Sequence, residues 1–230
     1  MVVGNGMLAQ AFKNLAKNDS VTLFASGVSN SRETASKEFE RERKMVENCK
    51  QTASRFIYFS TCSLHDPELT NSLYIHHKLE IESYIKNNFK QYSIIRLPNV
   101  IGPSNNPNTL TNYIFNAIVK QNKFDIYQNT IRYFIDIEDV VNVLTKAIEG
   151  NILTNKIYEL TFPNPLTIIE LVNIFEQLTG IKANYNIVPR GNKYEIKNSS
   201  EFEILHEFQS SSLEYFNKVL KKYYNREATL

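Results

Sequence analysis

From its first residues the chain alternates short β-rich runs with helical patterns, and this alternation restricts the folds open to it. Val2 and Val3 are followed at once by Gly4-Asn5-Gly6. Residues 7–16 then place Leu8, Ala11, Phe12 and Leu15 on one helical face. VTLFA at 21–25 reads as a buried strand, and residues 36–50 as a charged helix. FIYF at 56–59 is a strand ending in Ser60-Thr61. Residues 74–88 form a helix with Leu79, Ile81 and Ile85 available for packing. YSIIRL at 92–97 is a further strand that stops at Pro98. Strands alternating with helices predict a parallel sheet covered by helices on its faces.

The last third has a different rhythm. Helices are expected over 111–120, 139–149, 166–178 and 211–224, with extended segments at 132–137 and 157–160. Gly180 is placed to close the third of these helices. This third is expected to form a small lobe over the carboxyl end of the sheet, where open α/β sheets bind ligands. The 230 residues are expected to form one domain, with a core over 1–103 and a lobe over 104–230 that returns elements to the core.

Composition removes several functional classes. Hydrophobic residues make up 42% and charged residues 22%, which is ordinary for a globular chain and excludes a disordered one. The net charge of +2 offers no concentrated basic surface, so nucleic acid is not an expected partner. No apolar window is long enough to span a membrane. Cys49 and Cys62 cannot make a disulfide framework, and no signal peptide opens the sequence, so a reducing cytoplasm is the expected location. His76 and His77 are adjacent on a helix and point apart, so no metal site is expected. Residues 38–44 (EFERERK) read as a solvated helix face.

Two motifs carry chemistry. Gly4-Asn5-Gly6-Met7-Leu8-Ala9 is G-x-G-x-x-A between a strand and a helix. Glycines there permit a tight turn and close approach of the backbone to a pyrophosphate, beside the helix N-terminus. Tyr74 and Lys78 form Y-x-x-x-K, which stacks them on one helical face after a strand that ends in Ser60-Thr61. A lysine beside a tyrosine favours the phenolate. A phenol tuned in this way can exchange a proton with a sugar or alcohol oxygen. The Thr61 hydroxyl could hold that same oxygen.

These residues resemble an extended short-chain dehydrogenase/reductase of the NAD-dependent nucleotide-sugar epimerase/dehydratase family. Phe24-Ala25-Ser26-Gly27 is similar to the family's strand beside the cofactor. Residues 60–66 (STCSLHD) resemble S-[ST]-x-x-V-Y-G. Residues 96–103 (RLPNVIGP) resemble R-x-x-N-V-Y-G-P, and residues 132–140 (RYFIDIEDV) resemble R-x-F-I-x-V-x-D-V. The resemblance implies a shortened, Rossmann-like, doubly wound and mostly parallel α/β sheet with a small C-terminal α/β substrate lobe. It implies an NAD(P)-dependent epimerase or 4-keto reductase acting on a nucleotide-activated sugar in surface-polysaccharide or glycan precursor synthesis. The alternative is a non-catalytic dinucleotide- or nucleotide-sugar-binding protein derived from such enzymes.

Carried over residue by residue, the resemblance makes Thr61, Tyr74 and Lys78 the catalytic residues. It places Gly4, Asn5, Gly6, Met7, Leu8, Ala25, Ser26, Ser60, Tyr74, Lys78 and Pro98 at an NAD or NADP cofactor. Cys62, Ser63, Asn99 and Arg132 would face the substrate, with Arg132 on its diphosphate. Two family helices, here 36–50 and 74–88, would build a homodimer.

The sequence also departs from the family pattern. Cys62-Ser63 stands where the 4,6-dehydratases carry an Asp-Glu pair, so that dehydration is not expected. His65 replaces the usual tyrosine and is expected to be a wall or surface residue. Only about fifty residues separate Gly6 from Ser60, about half the family's spacing, so at least one strand–helix pair is missing. No equivalent of the residue that reads the adenosine ribose is found, with Asp19 too early and Arg32 too late. VTLFA matches the family's fourth strand by its FASG ending, the second-strand position being the alternative. The fourth-strand position with a right-handed crossover would require the first helix on an unusual face.

Overall fold

The computed structural model describes residues 1–17, 20–205 and 211–225. Asp19 lies outside the described residues. The central sheet is formed by β1 (Val2–Val3), β2 (Thr22–Phe24), β3 (Phe56–Thr61), β4 (Tyr92–Leu97) and β9 (Lys156–Glu159), in that spatial order and parallel throughout. Connecting the first four strands are α1 (Met7–Ala11), α2 (Ser36–Cys49) and α3 (Leu73–Asn88). The helix expected over 7–16 is shorter than its pattern, giving way to a 3-10 turn at Lys13–Lys17.

Between β4 and β9 the chain adds a long series of further elements. β5 (Asn99–Ile101), α4 (Leu110–Val119), β6 (Phe124–Tyr127), β7 (Ile131–Arg132), β8 (Phe134–Asp136) and α5 (Ile137–Glu149) follow in order. After β9 come β10 (Leu166–Thr167), α6 (Ile168–Thr179), β11 (Tyr185–Val188), α7 (Ser200–Leu205) and α8 (Ser212–Tyr224). Three two-stranded pairs, β5 with β8, β6 with β11 and β7 with β10, tie the lobe together. Gly180 closes α6 in the left-handed conformation at φ +69°, as its position in the sequence predicts.

Strand alternation divides the sheet residues between two faces. Leu23, Ile57, Phe59 and Ile95 pack on one side with Phe12, at the end of α1, and with Val140, Val143 and Leu144 of α5. Phe24, Phe56, Tyr58 and Ile94 pack on the other with Val46 of α2 and Ile81 and Ile85 of α3. A third cluster lies in the lobe, where α4, α6 and α8 enclose Phe115, Phe175 and Phe216.

Strand β2 lies between β1 and β3, the fourth-strand alternative. Strand β1 is therefore an edge, and the order advances in one direction across the sheet. Among the described residues no strand lies beyond β1, and helices cover both faces of this shortened, Rossmann-like sheet. The steps from β1 to β2 and from β2 to β3 run the same way, yet α1 and α2 cover opposite faces. The two crossovers consequently have opposite hands, and one departs from the near-universal right-handed rule. Open α/β sheets take ligands outside the carboxyl ends of their strands, which here include the ends of β1 and β2.

Candidate functional site

The glycine turn follows β1 at the carboxyl end of the sheet. Gly4 has φ +127°, and a Cβ on it would fall 2.4 Å from the Ala25 carbonyl oxygen. This contact joins the carboxyl ends of β1 and β2, and no other residue type fits it. Gly6 is different. It precedes the first turn of α1, and a Cβ there would meet nothing within 4 Å. Asn5 is exposed beside it, while Met7 and Leu8 are half-buried. Met7 approaches Gly102 at the end of the RLPNVIGP segment, bringing two of the sequence motifs together.

Thr61 ends β3, and Tyr74 lies in the first turn of α3. In a parallel sheet both positions are at the carboxyl edge. Thr61 is 6% exposed and its Oγ1 accepts the Ser63 N–H at 3.0 Å, which leaves its own O–H free to donate. Tyr74 is 6% exposed and packs against Val28 and Ile75. Its hydroxyl makes no hydrogen bond among the described residues. The Lys78 ammonium lies 5.7 Å from the centre of the Tyr74 ring.

That ammonium is already occupied. Lys78 Nζ donates to Glu42 Oε1 at 3.0 Å, to Glu42 Oε2 at 3.3 Å and to the Tyr58 hydroxyl at 3.1 Å. An ammonium has three N–H bonds, so its donors are used. Glu42 comes from α2, out of the EFERERK run expected to be a solvated face, and it is fully buried. Its carboxylate also accepts from the Val28 N–H at 2.6 Å, Tyr58 Oη at 2.5 Å and His77 Nε2 at 3.0 Å. Burial would raise its pKa, but Lys78 and the three hydrogen bonds outweigh burial and hold it at about 2. Tyr58 moves the other way: burial and the adjacent Glu42 push its hydroxyl well above the usual phenol.

A second charged group lies on the same face of the sheet. Arg96 holds Glu82 through Nε at 2.9 Å and Nη2 at 2.7 Å, and reaches Glu159 at 3.3 Å. Ser60 Oγ donates to Glu82 at 2.6 Å. His65 is half-buried, with Nε2 2.6 Å from Glu159. Burial would raise the Glu159 pKa, but His65 and Arg96 together lower it.

The expected substrate residues are spread more widely. Cys62 is 1% exposed and packs against Tyr133 and Ile196, and burial raises its thiol well above the ordinary value. Its side chain is enclosed in that apolar cluster. Ser63 spends its N–H on the turn after Thr61. Asn99 donates its side-chain amide to the Tyr133 carbonyl at 3.0 Å, and Pro98 beside it is half-buried. Arg132 points Nη2 at Asp66 Oδ2, 3.1 Å away, and donates Nη1 to the Ile131 carbonyl. Ala25 and Ser26 lead from β2 towards Gly27, and Ser26 accepts from Arg41 of α2. Among the described residues no cluster of three or more His, Cys, Asp or Glu could hold a metal.

Sequence reasoning missed Glu42, Tyr58 and His77. The signal was present in α2, where Phe39, Glu42, Val46 and Cys49 share one helical stripe. A lone carboxylate on an apolar stripe marks a buried, partnered charge.

Comparison with known proteins agrees with this architecture. The model of the NAD dependent epimerase/dehydratase family matches residues 5–160. The chain belongs to that family. No curated protein matches the sequence. MoeE5, solved with UDP-glucose and NAD, superposes with a TM-score of 0.74 at 17% identity, over 95% of this chain and 83% of that one. A UDP-glucuronic acid 4-epimerase from Bacillus cereus gives 0.68 at 18% identity, over 95% and 78%. A dTDP-4-dehydrorhamnose reductase from Clostridium acetobutylicum gives 0.74 at 15% identity, over 96% and 98%. At these identities the likeness is one of fold.

The residues present meet the family's dinucleotide unevenly. At the phosphate end they fit: Gly6 faces open space and the first turn of α1 carries no side-chain cap. On the adenosine side β1 is an edge, with no further strand among the described residues to form a wall. At Lys78 they do not fit while Glu42 is in place, because no donor remains for a ribose hydroxyl.

Proposed function

We propose that the chain is an NAD(H)- or NADP(H)-dependent epimerase or 4-keto reductase acting on a nucleotide-activated sugar, in surface-polysaccharide or glycan precursor synthesis. The observation that carries this reading is the Tyr74 hydroxyl. It is free of hydrogen bonds among the described residues, on a largely buried side chain beside a lysine ammonium at the carboxyl edge of the sheet. Tyr74 would move a proton to or from a sugar oxygen. The Thr61 O–H would hold the same oxygen. Arg132 would bind the diphosphate, in exchange for part of its contact with Asp66.

The protein would be cytoplasmic. No helix among the described residues is long and apolar enough to cross a membrane. It would assemble as a homodimer through the outer faces of α2 and α3. These helices are joined by the Arg43–Glu80 ion pair and expose Leu73 and Leu79 on α3.

A second reading has its own support. A non-catalytic binding protein would leave Lys78 permanently paired, as its three contacts to Glu42 and Tyr58 place it. Purified protein separates the two. The enzymatic reading expects bound dinucleotide in a denatured extract, or saturable binding on addition, and turnover of nucleotide sugars. Binding without turnover across nucleotide sugars supports the second reading, and no dinucleotide binding overturns the first.

A further inference from the structure

Lys78 is closed off from two directions. Below it, Glu42 and Tyr58 take its donors. Above it runs the backbone of Gly27, where a Cβ would fall 2.7 Å from Nζ and 3.0 Å from Glu42 Oε1. The adjacent Val28 N–H is bonded to Glu42 at 2.6 Å. One carboxylate thus binds the lysine and also the segment lying over it. This segment leads from β2 to α2 and borders a cleft lined by Ser29, Asn30 and Arg41.

We infer that Glu42 is a positioning residue that holds Lys78 and the Gly27–Val28 segment together, so that a dinucleotide reaches Lys78 only by displacing Glu42. This rests on the dinucleotide-dependent reading above. A ribose diol offers Lys78 oxygen acceptors without charge, so it competes poorly with a buried carboxylate that accepts charge-assisted bonds. The same displacement would free Val28 and let the segment lift away from Nζ. The apparent dissociation constant is then the intrinsic one divided by the fraction of molecules with the pair open. Among the described residues the groups facing Glu42 are Tyr58 from β3, His77 and Lys78 from α3 and Val28 from the segment itself.

Glu42→Gln tests this directly. The amide keeps the side-chain shape and one acceptor while removing the charge. Binding of NADH and of NADPH is followed by nicotinamide fluorescence with wild-type protein and the variant. The inference predicts binding about tenfold or more tighter in Glu42→Gln, the loss of one charge-assisted hydrogen bond from the competing state. A residue with a merely structural role would not raise affinity when replaced. Tyr58→Phe is the second variant, for the case that Glu42→Gln does not melt cooperatively. It frees one Lys78 donor and leaves the ion pair, and a gain of about two- to tenfold is expected. Equal or weaker binding in a folded variant overturns the inference and leaves the dinucleotide reading standing. No binding of either dinucleotide to any of the three proteins overturns both.

Discussion

Glu42 of α2 and Lys78 of α3 form an ion pair at 3.0 Å, with side-chain exposures of 0% and 4%. A buried pair is retained only where hydrogen bonds satisfy what the charges leave over. Here Tyr58, His77 and Val28 do so for the carboxylate. The arrangement links three helix and strand elements beneath Tyr74. It also cancels much of the positive field that an unpaired lysine would direct at the phenol.

Acid should weaken this pair. Glu42 is held at about 2 against an ordinary value of 4.5. A depressed carboxylate contributes stability above its unfolded pKa and loses it as pH falls towards its folded one. The depression corresponds to roughly 3 kcal/mol. Stability measured by urea unfolding between pH 5 and pH 2 should therefore fall more steeply in wild type than in Glu42→Gln. Parallel slopes would mean that Glu42 titrates alike in both states.

The two glycines of the turn should separate fold from binding. Gly4→Ala places a Cβ against the Ala25 carbonyl at φ +127° and should cost roughly 2–4 kcal/mol of stability. Gly6→Ala meets no protein atom, so its melting temperature should stay near wild type while dinucleotide binding weakens. Thermal melts and dinucleotide titration of both variants check this. A Gly6→Ala protein that binds as wild type would show that the turn does not approach a pyrophosphate.

Arg132 presents a bidentate fork that lysine lacks. Its partner is Asp66, which is 2% exposed, rather than the nearby Asp136 or Glu138. Those two pair with Lys222 instead. Arg132→Lys should weaken nucleotide-sugar binding by about tenfold and leave dinucleotide binding unchanged. Equal losses in titrations with the two ligands would confine Arg132 to holding Asp66.

The sequence made the strand–helix frame legible because β3 and β4 are compact runs rich in β-branched and aromatic residues, while Pro98 follows the end of β4 and Gly180 closes α6 through backbone chemistry. Short strands such as β5, β6 and β11 are only three or four residues long and exist through their partners, so a local pattern does not reveal them. The place of β2 was readable from its FASG ending. The opposite hands of the first two crossovers were not, since they depend on which face α1 covers. Tyr74 and Lys78 were singled out by their Y-x-x-x-K spacing together with the preceding strand that ends in Ser60-Thr61 and the family resemblance. Glu42 was concealed by its neighbours, because Glu40, Arg41 and Arg43 are exposed and made the whole run read as solvated. Cys62 and Ser60 lie next to Thr61 in sequence, but one turns into the apolar cluster with Tyr133 and the other towards Glu82.

Turnover by Tyr74→Phe tests the account most directly. The substitution removes the titrating hydroxyl and keeps the ring that packs on Val28 and Ile75. With a nucleotide sugar that wild type converts, kcat should fall about 10²–10⁴-fold, the usual contribution of a general acid–base, with the melting temperature unchanged. A kcat equal to wild type in the folded variant would contradict the assignment of Tyr74 as the proton-transferring residue.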